Sequence, residues 1–229
     1  MSSTIYNTTI PSTGEKIKYR PFTVREQKSL LVAQQSEDQN VMIDTLKTVI
    51  TSCVVEKINV AKLAIFDLEY IFIQIRAKSV GELIELVFEC DSCHETTNIK
   101  FDLTKLEVSI PENHTKNIDL GDNKGLVMKY PDIDVLKLLT DFDDTDTELI
   151  FRIMVSCIDS IYDEQTIHNA DDYNAEELYE FVNSFSIAQF AKVQAFFDTL
   201  PILEQKVIYD CPKCRHHHDK SMKGITNFF

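Results

Sequence analysis

No stretch of this 229-residue chain reaches the ~18–20 uninterrupted apolar residues of a membrane span, and Met1-Ser2-Ser3-Thr4 lacks the charged and apolar regions of a signal peptide. A cytosolic protein with no membrane partner is expected. Catalytic signatures are missing too: there is no Gly-rich phosphate loop, no G-x-S-x-G elbow and no H-E-x-x-H pair, so no enzyme is expected. Gly and Pro are few, five and six, and 44% of the residues are apolar, ample for a real core. Positive charge is scarce. Lys and Arg number 23 against 37 Asp and Glu, a net charge of −14. That balance argues against nucleic acid as the main partner, because phosphates are bound chiefly through Lys and Arg. The deficit is local: between Asp132 and Glu180, 15 carboxylates face only Lys137 and Arg152. Such a block reads as a solvated helix surface or as a docking face for a basic partner.

What the chain does have is six cysteines. Cys53 and Cys157 fall on the apolar faces of predicted helices and read as small core residues of a protein from a reducing compartment. The other four form two pairs, Cys90-Asp91-Ser92-Cys93 and Cys211-Pro212-Lys213-Cys214. Each pair interrupts alternating apolar runs, with Leu83 to Glu89 and Ile99 to Leu103 around the first and Lys206 to Asp210 before the second. This is the layout of a knuckle, a tight turn at a hairpin tip whose two thiolates point the same way. Zn²⁺ takes four N or S ligands, so two knuckles face to face complete a ribbon-like site of Cys90, Cys93, Cys211 and Cys214. Pairs in such sites are usually about 15–20 residues apart. Here 117 residues intervene, so the site is a clasp closing over a large insertion. With four thiolates it leaves zinc no open position for water, and the metal is expected to be structural. Redox-active dithiols and chance pairing are the competing readings. Neither pair opens a helix in a βαβ unit, the setting that activates a thioredoxin-like dithiol.

Ile5, Tyr6 and Ile10, the turn residues Pro11-Ser12-Thr13-Gly14, then Ile17 and Tyr19 predict a hairpin from Ser3 to Tyr19. Thr23 and Glu26 have capping-box spacing, which predicts a helix to about Gln35 with Leu30 and Leu31 as core contacts. Met42, Leu46, Val49, Ile50 and Cys53 follow a helical period. Leu63 to Ile75 is apolar on almost every side, which predicts a buried helix set against the ribbon sheet, broken near a cap at Asp67. Strands are expected around Glu107 to Ile110 and Leu126 to Tyr130. Helices are expected over Asp132 to Thr140, Leu149 to Ile158, Ala175 to Phe185 and Ile187 to Leu200, the last capped by Ser186 and stopped by Pro201. The insertion thus reads as a small helical bundle. The expected fold class is α+β: an N-terminal hairpin, helices and first knuckle (1–104), an acidic, mainly helical insertion (105–203), and a second knuckle (204–229) packing back on the first.

Two other constellations are weak. Asp141-Phe142-Asp143-Asp144-Thr145-Asp146 hints at a calcium loop, but the sixth position is Asp146 where Gly is needed and the twelfth is Arg152 where Glu is needed. His94 and His216-His217-His218 are spare or peripheral ligands at most, and solvent exposure is expected for them.

Tyr19-Arg20-Pro21-Phe22-Thr23-Val24-Arg25-Glu26-Gln27-Lys28-Ser29-Leu30-Leu31, Asp67-Leu68-Glu69-Tyr70-Ile71-Phe72, Arg76-Ala77-Lys78-Ser79-Val80-Gly81-Glu82 and the two knuckles together resemble the baseplate hub and hub-assembly family of T-even-type contractile-tailed phages. The similarity covers mainly residues 15 to 100 and the C-terminal knuckle; the acidic middle carries no matching motif. The resemblance implies a role in virion morphogenesis without catalysis, as hub component or assembly factor. Its partners would be other baseplate hub or tail proteins, in the host cytoplasm during assembly and in the tail baseplate. Two other classes stay open. A zinc-ribbon regulatory or replication factor on nucleic acid would use Lys213, Arg215, Lys220 and Lys223. A metalloenzyme or redox protein would need a zinc-bound water or a cycling disulfide.

Overall fold

The computed structural model describes residues 4–36, 38–141 and 147–224. The chain forms two compact units, one of Met1–Val60, Phe66–Ser109 and Ile202–Phe229, the other of Ala61–Ile65 and Ile110–Pro201. The architecture is mixed α and β, with seven α-helices and four small antiparallel sheets among the described residues.

The first unit is built on three hairpins: β1 (Tyr6–Thr9) with β2 (Lys16–Tyr19), β3 (Leu83–Glu89) with β4 (Thr96–Asp102), and β10 (Ile202–Asp210) with β11 (His217–Lys223). All three turn through the same backbone geometry. The Gly14 amide donates to the Ile10 carbonyl (2.9 Å) and the Ile10 amide to the Glu15 carbonyl (2.8 Å). The pairs His94 to Cys90, Cys90 to Glu95, Arg215 to Cys211 and Cys211 to His216 repeat this at 2.9 Å each. The fifth residue lies in the left-handed region each time, with φ of 73° at Gly14, 58° at His94 and 60° at Arg215. Only the first hairpin meets that demand with glycine, and a side chain held there costs roughly 1–2 kcal/mol.

Three helices pack among these hairpins. α1 (Val24–Ser36) starts at the predicted place, with the Glu26 carboxylate accepting from the Thr23 amide at 2.7 Å. The reciprocal half of the box differs from expectation, because the Thr23 hydroxyl also donates to Glu26. Leu30 and Ala33 are buried but Leu31 is 51% exposed, so Leu31 is not a core contact. α2 (Gln39–Cys53) is capped by Asp38 and buries Val49, Ile50 and Cys53. α3 (Ile65–Ser79) is one continuous helix with eight buried residues, correcting the expected break at Asp67. Asp67 lies in its first turn, fully buried, where its carboxylate accepts the Ser12 amide at 2.9 Å and fixes the tip of the first hairpin. As expected, α3 packs on the knuckle strands: Ile73 and Ala77 share a core with Phe101, Leu103, Leu106, Leu203, Val207 and Tyr209.

β5 (Glu107–Ser109) pairs with the start of β10, Ser109 opposite Ile202. The chain therefore leaves the first unit and re-enters it on adjacent antiparallel strands. That pairing already holds together the two ends of a long excursion, whose closure entropy grows only slowly with length.

The second unit corrects the helical-bundle expectation. It contains a four-stranded antiparallel sheet in sequential order, β6 (Asn117–Gly121), β7 (Lys124–Met128), β8 (Ile158–Tyr162) and β9 (Ile167–Asn169). Its helices are α4 (Ile133–Asp141), α5 (Thr147–Ser156), α6 (Ala175–Asn183) and α7 (Ile187–Asp198). The expected helix through Ile158 stops at Ser156; Ile158 begins a strand in which β-branched and aromatic side chains pair with β7. Ser186 caps α7 as expected, in a reciprocal box with Gln189, and Asn174 caps α6 with Glu177. The core joins Leu126, Met128, Met154, Cys157, Ile158, Leu178, Val182, Val193 and Phe196. The sequence 142–146, with the dismissed calcium loop, lies outside the described residues.

Gly125 opposes Tyr162 in the sheet. A Cβ there would fall on the Tyr162 hydroxyl and 2.5 Å from the Ile118 carbonyl oxygen. Gly125→Ala should therefore destabilise the protein by about 1–3 kcal/mol, as overpacking does, measured by urea denaturation. Tyr162→Ala in the same chain should recover only part of the loss, because the backbone oxygen stays.

Candidate metal centre

The two knuckle tips meet. The sulfurs of Cys90, Cys93, Cys211 and Cys214 all lie within 4.8 Å of one another. Cys90 Sγ is 3.6 Å from Cys214 Sγ, and Cys93 Sγ is 3.6 Å from Cys211 Sγ. Zinc bound to sulfur at ~2.3 Å in a tetrahedron requires sulfur–sulfur edges of about 3.8 Å, so the donor set fits that ion. Among the described residues no other group of three or more His, Cys, Asp or Glu side chains converges in this way.

The register explains why the thiols converge. Val207, Tyr209 and Cys211 alternate inward along β10, and Cys90 follows β3 with its side chain equally buried. Cys93 is half-buried and Cys214 exposed, so the cluster has a covered side and a solvent side. The Cys214 and Lys213 amides donate to Cys211 and pull its thiol down to about 7. The Lys213 amide occupies the turn position of Ser12 in the first hairpin, where the acceptor is a carboxylate instead of a sulfur. At Cys93 the Glu95 amide favours the thiolate, yet burial and the three neighbouring sulfurs push the thiol up to about 12. Four crowded sulfurs resist ionising together, and a cation at their centre removes that opposition.

Charged side chains lace the two tips together. Lys213 reaches Glu95 at 2.9 Å and Lys220 reaches Asp91 at 3.0 Å, each a cation of the second knuckle on a carboxylate of the first. Two of the four cations that would serve a nucleic-acid face are thus paired within the protein.

The expectation of exposed histidines holds for His94, His216 and His217 and fails for His218. His218 lies opposite Tyr209 in the β10–β11 ladder, is 3% exposed, and stacks on the Tyr209 ring at 4.6 Å. Its Nε2 is 3.3 Å from Cys90 Sγ and its Nδ1 is 3.4 Å from Asp91. A ring N–H on a ligand sulfur stabilises the thiolate and fixes its direction. Carrying the inward alternation of β10 across the tip would have singled out His218 from the sequence; treating the histidine run as one unit hid it.

A family model described as T4 bacteriophage base plate protein matches residues 1–229. The chain belongs to that family. Searches of curated proteins and of solved structures find no match. Membership makes this a T4-type phage baseplate protein, and the family implies other baseplate and tail proteins as its neighbours. Among the described residues no helix is long and apolar enough to cross a membrane.

For this base plate protein His218→Ala should speed zinc loss to a chelator, whereas His217→Ala, whose ring meets Asp210 at the surface, should leave it unchanged. Zinc release is followed with a metallochromic dye. Protons compete for the same sulfurs, so acid should weaken the site and base strengthen it. Zinc affinity of the metal-free chain should rise at least about a hundredfold from pH 6 to pH 8, measured by competition with a chelator of known affinity.

Proposed function

We propose that this base plate family member is a non-catalytic baseplate hub component or hub-assembly factor, working by protein–protein binding and fixed in shape by one structural Zn²⁺ on Cys90, Cys93, Cys211 and Cys214. Convergence of the four sulfurs from two distant segments carries the reading. A closed set of thiolates offers substrate no coordination position, so such a metal contributes folding energy and not chemistry. It would hold together hairpins whose ladders are short and separate, presenting the first unit to partners as a rigid body. The chain would act in the host cytoplasm during assembly and in the tail baseplate.

Complementation of an amber mutant in this gene tests the reading. Cys90→Ser and Cys211→Ser should each bind less than one zinc per chain, lose at least about 10 °C in Tm because metal binding is folding free energy, and yield few complete tails. His217→Ala should match the parent in all three. Complete tails from a chain without zinc would refute the structural role. Full zinc content in a chain absent from every baseplate precursor and from finished tails would refute the assembly role.

A further inference from the structure

The second unit carries a cleft of about 570 Å³ that the metal centre does not use. Its floor is apolar and aromatic, with Ile161, Tyr162, Phe181 and Phe185 among its lining residues. Phe181 and Phe185 meet edge to face at 5.0 Å, one turn apart at the end of α6. Tyr162 keeps its ring beside the floor because Gly125 opposite it has no side chain. Apolar surface continues outward: Ile167, the cross-strand partner of Tyr162, is 77% exposed.

The rim is mainly acidic. Asp122, Asp163 and Glu177 line the cleft against a single Lys124, and Asp119 and Glu164 line the depression beside it. Four of these carboxylates are held in place, Asp119 by the Gly121 amide at 2.8 Å. Asp163 accepts the Gln165 and Thr166 amides at 2.9 Å each, Glu177 belongs to the α6 capping box, and Glu164 accepts from Asn123 at 2.8 Å. An apolar floor inside a fixed acidic rim is complementary to a chain segment carrying a large apolar side chain between cations.

We propose that this cleft receives a segment of a neighbouring baseplate or tail protein in which a large apolar residue is flanked by Lys or Arg, a partner contact that rests on the protein-binding role proposed above. The apolar side chain sits on the Tyr162, Phe181 and Phe185 surface, and the flanking cations meet the Asp122, Asp163 and Glu164 carboxylates. This gives the acidic stretch of the chain a defined place of contact instead of a diffuse field.

The test places p-benzoylphenylalanine at Tyr173, a partly exposed lining residue, in the full-length chain supplied to the amber mutant. Irradiated assembly complexes are digested and the cross-linked peptide is sequenced. The expected product is a segment of another tail protein with Lys or Arg flanking a large apolar residue. In the same background Asp122→Asn with Glu164→Lys should lower the cross-link yield at least about fivefold, since rim charge sets the encounter. Asn suits the left-handed backbone at 122, where φ is 52°, and an unchanged circular dichroism spectrum and urea denaturation midpoint show the variant folded. A cross-link to a second copy, to a segment without cations, or at undiminished yield in the variant overturns the proposal. So does the absence of any cross-link in complexes that contain the chain, which leaves the assembly role standing. A small molecule retained in the cleft by native mass spectrometry overturns it as well. Failure of the chain to enter any complex refutes the assembly role and this contact together.

Discussion

Crowded thiols repel one another's charge, and the first unit is arranged around a point where four of them meet within 4.8 Å. Without a cation the cluster is torn between thiol and thiolate, with Cys211 drawn down and Cys93 pushed up. With one, the same four sulfurs would join two hairpins that have no ladder between them. The ion pairs of Lys213 with Glu95 and Lys220 with Asp91 are surface contacts worth little alone. They run between the same two tips as the metal would, so they set its register more than its strength. The core under α3 supplies the other side of the clasp, and Tyr209 and His218 link that core to the sulfurs.

The shared turn geometry of the three hairpins shows how little the fold asks of the knuckle sequence. Ile10 and Thr13 stand in the first hairpin where cysteines stand in the others, and a buried carboxylate on α3 takes over as acceptor for the turn amide. The first tip is thus bound to a helix, and the other two bring their four thiols together. The insertion exploits a different economy. Its ends are already neighbours on β5 and β10, so the second unit can be large, acidic and folded on its own core without straining the first.

Much of the candidate site was legible in the sequence because hairpin alternation and Cys-x-x-Cys spacing are local signals. Those signals named the four sulfurs and the strands β3 and β10 that lead into them. The buried α3 was equally plain, its apolar residues covering every side. The sheet of the second unit was not. Ile158 continues a helical apolar period from Leu149, and only the ladder to β7 decides that it starts a strand. Leu31 was misread because α1 buries only a narrow stripe, which Leu30 and Ala33 fill. Asp67 was taken for a cap because acidic residues favour helix starts; its actual partner is the Ser12 amide, 55 residues away. His218 depended on a register that crosses a turn. The misses at Ile158 and Asp67 came from contacts distant in sequence, whereas those at Leu31 and His218 turned on which face of a local element is covered.

X-ray absorption at the zinc edge of the purified full-length protein, prepared in reducing buffer without chelator, tests the central claim most directly. The account predicts a single shell of four sulfur scatterers at about 2.3 Å, identical in the His217→Ala chain and lost in Cys211→Ser. A shell containing nitrogen or oxygen, or no zinc at all in a folded chain, would contradict it.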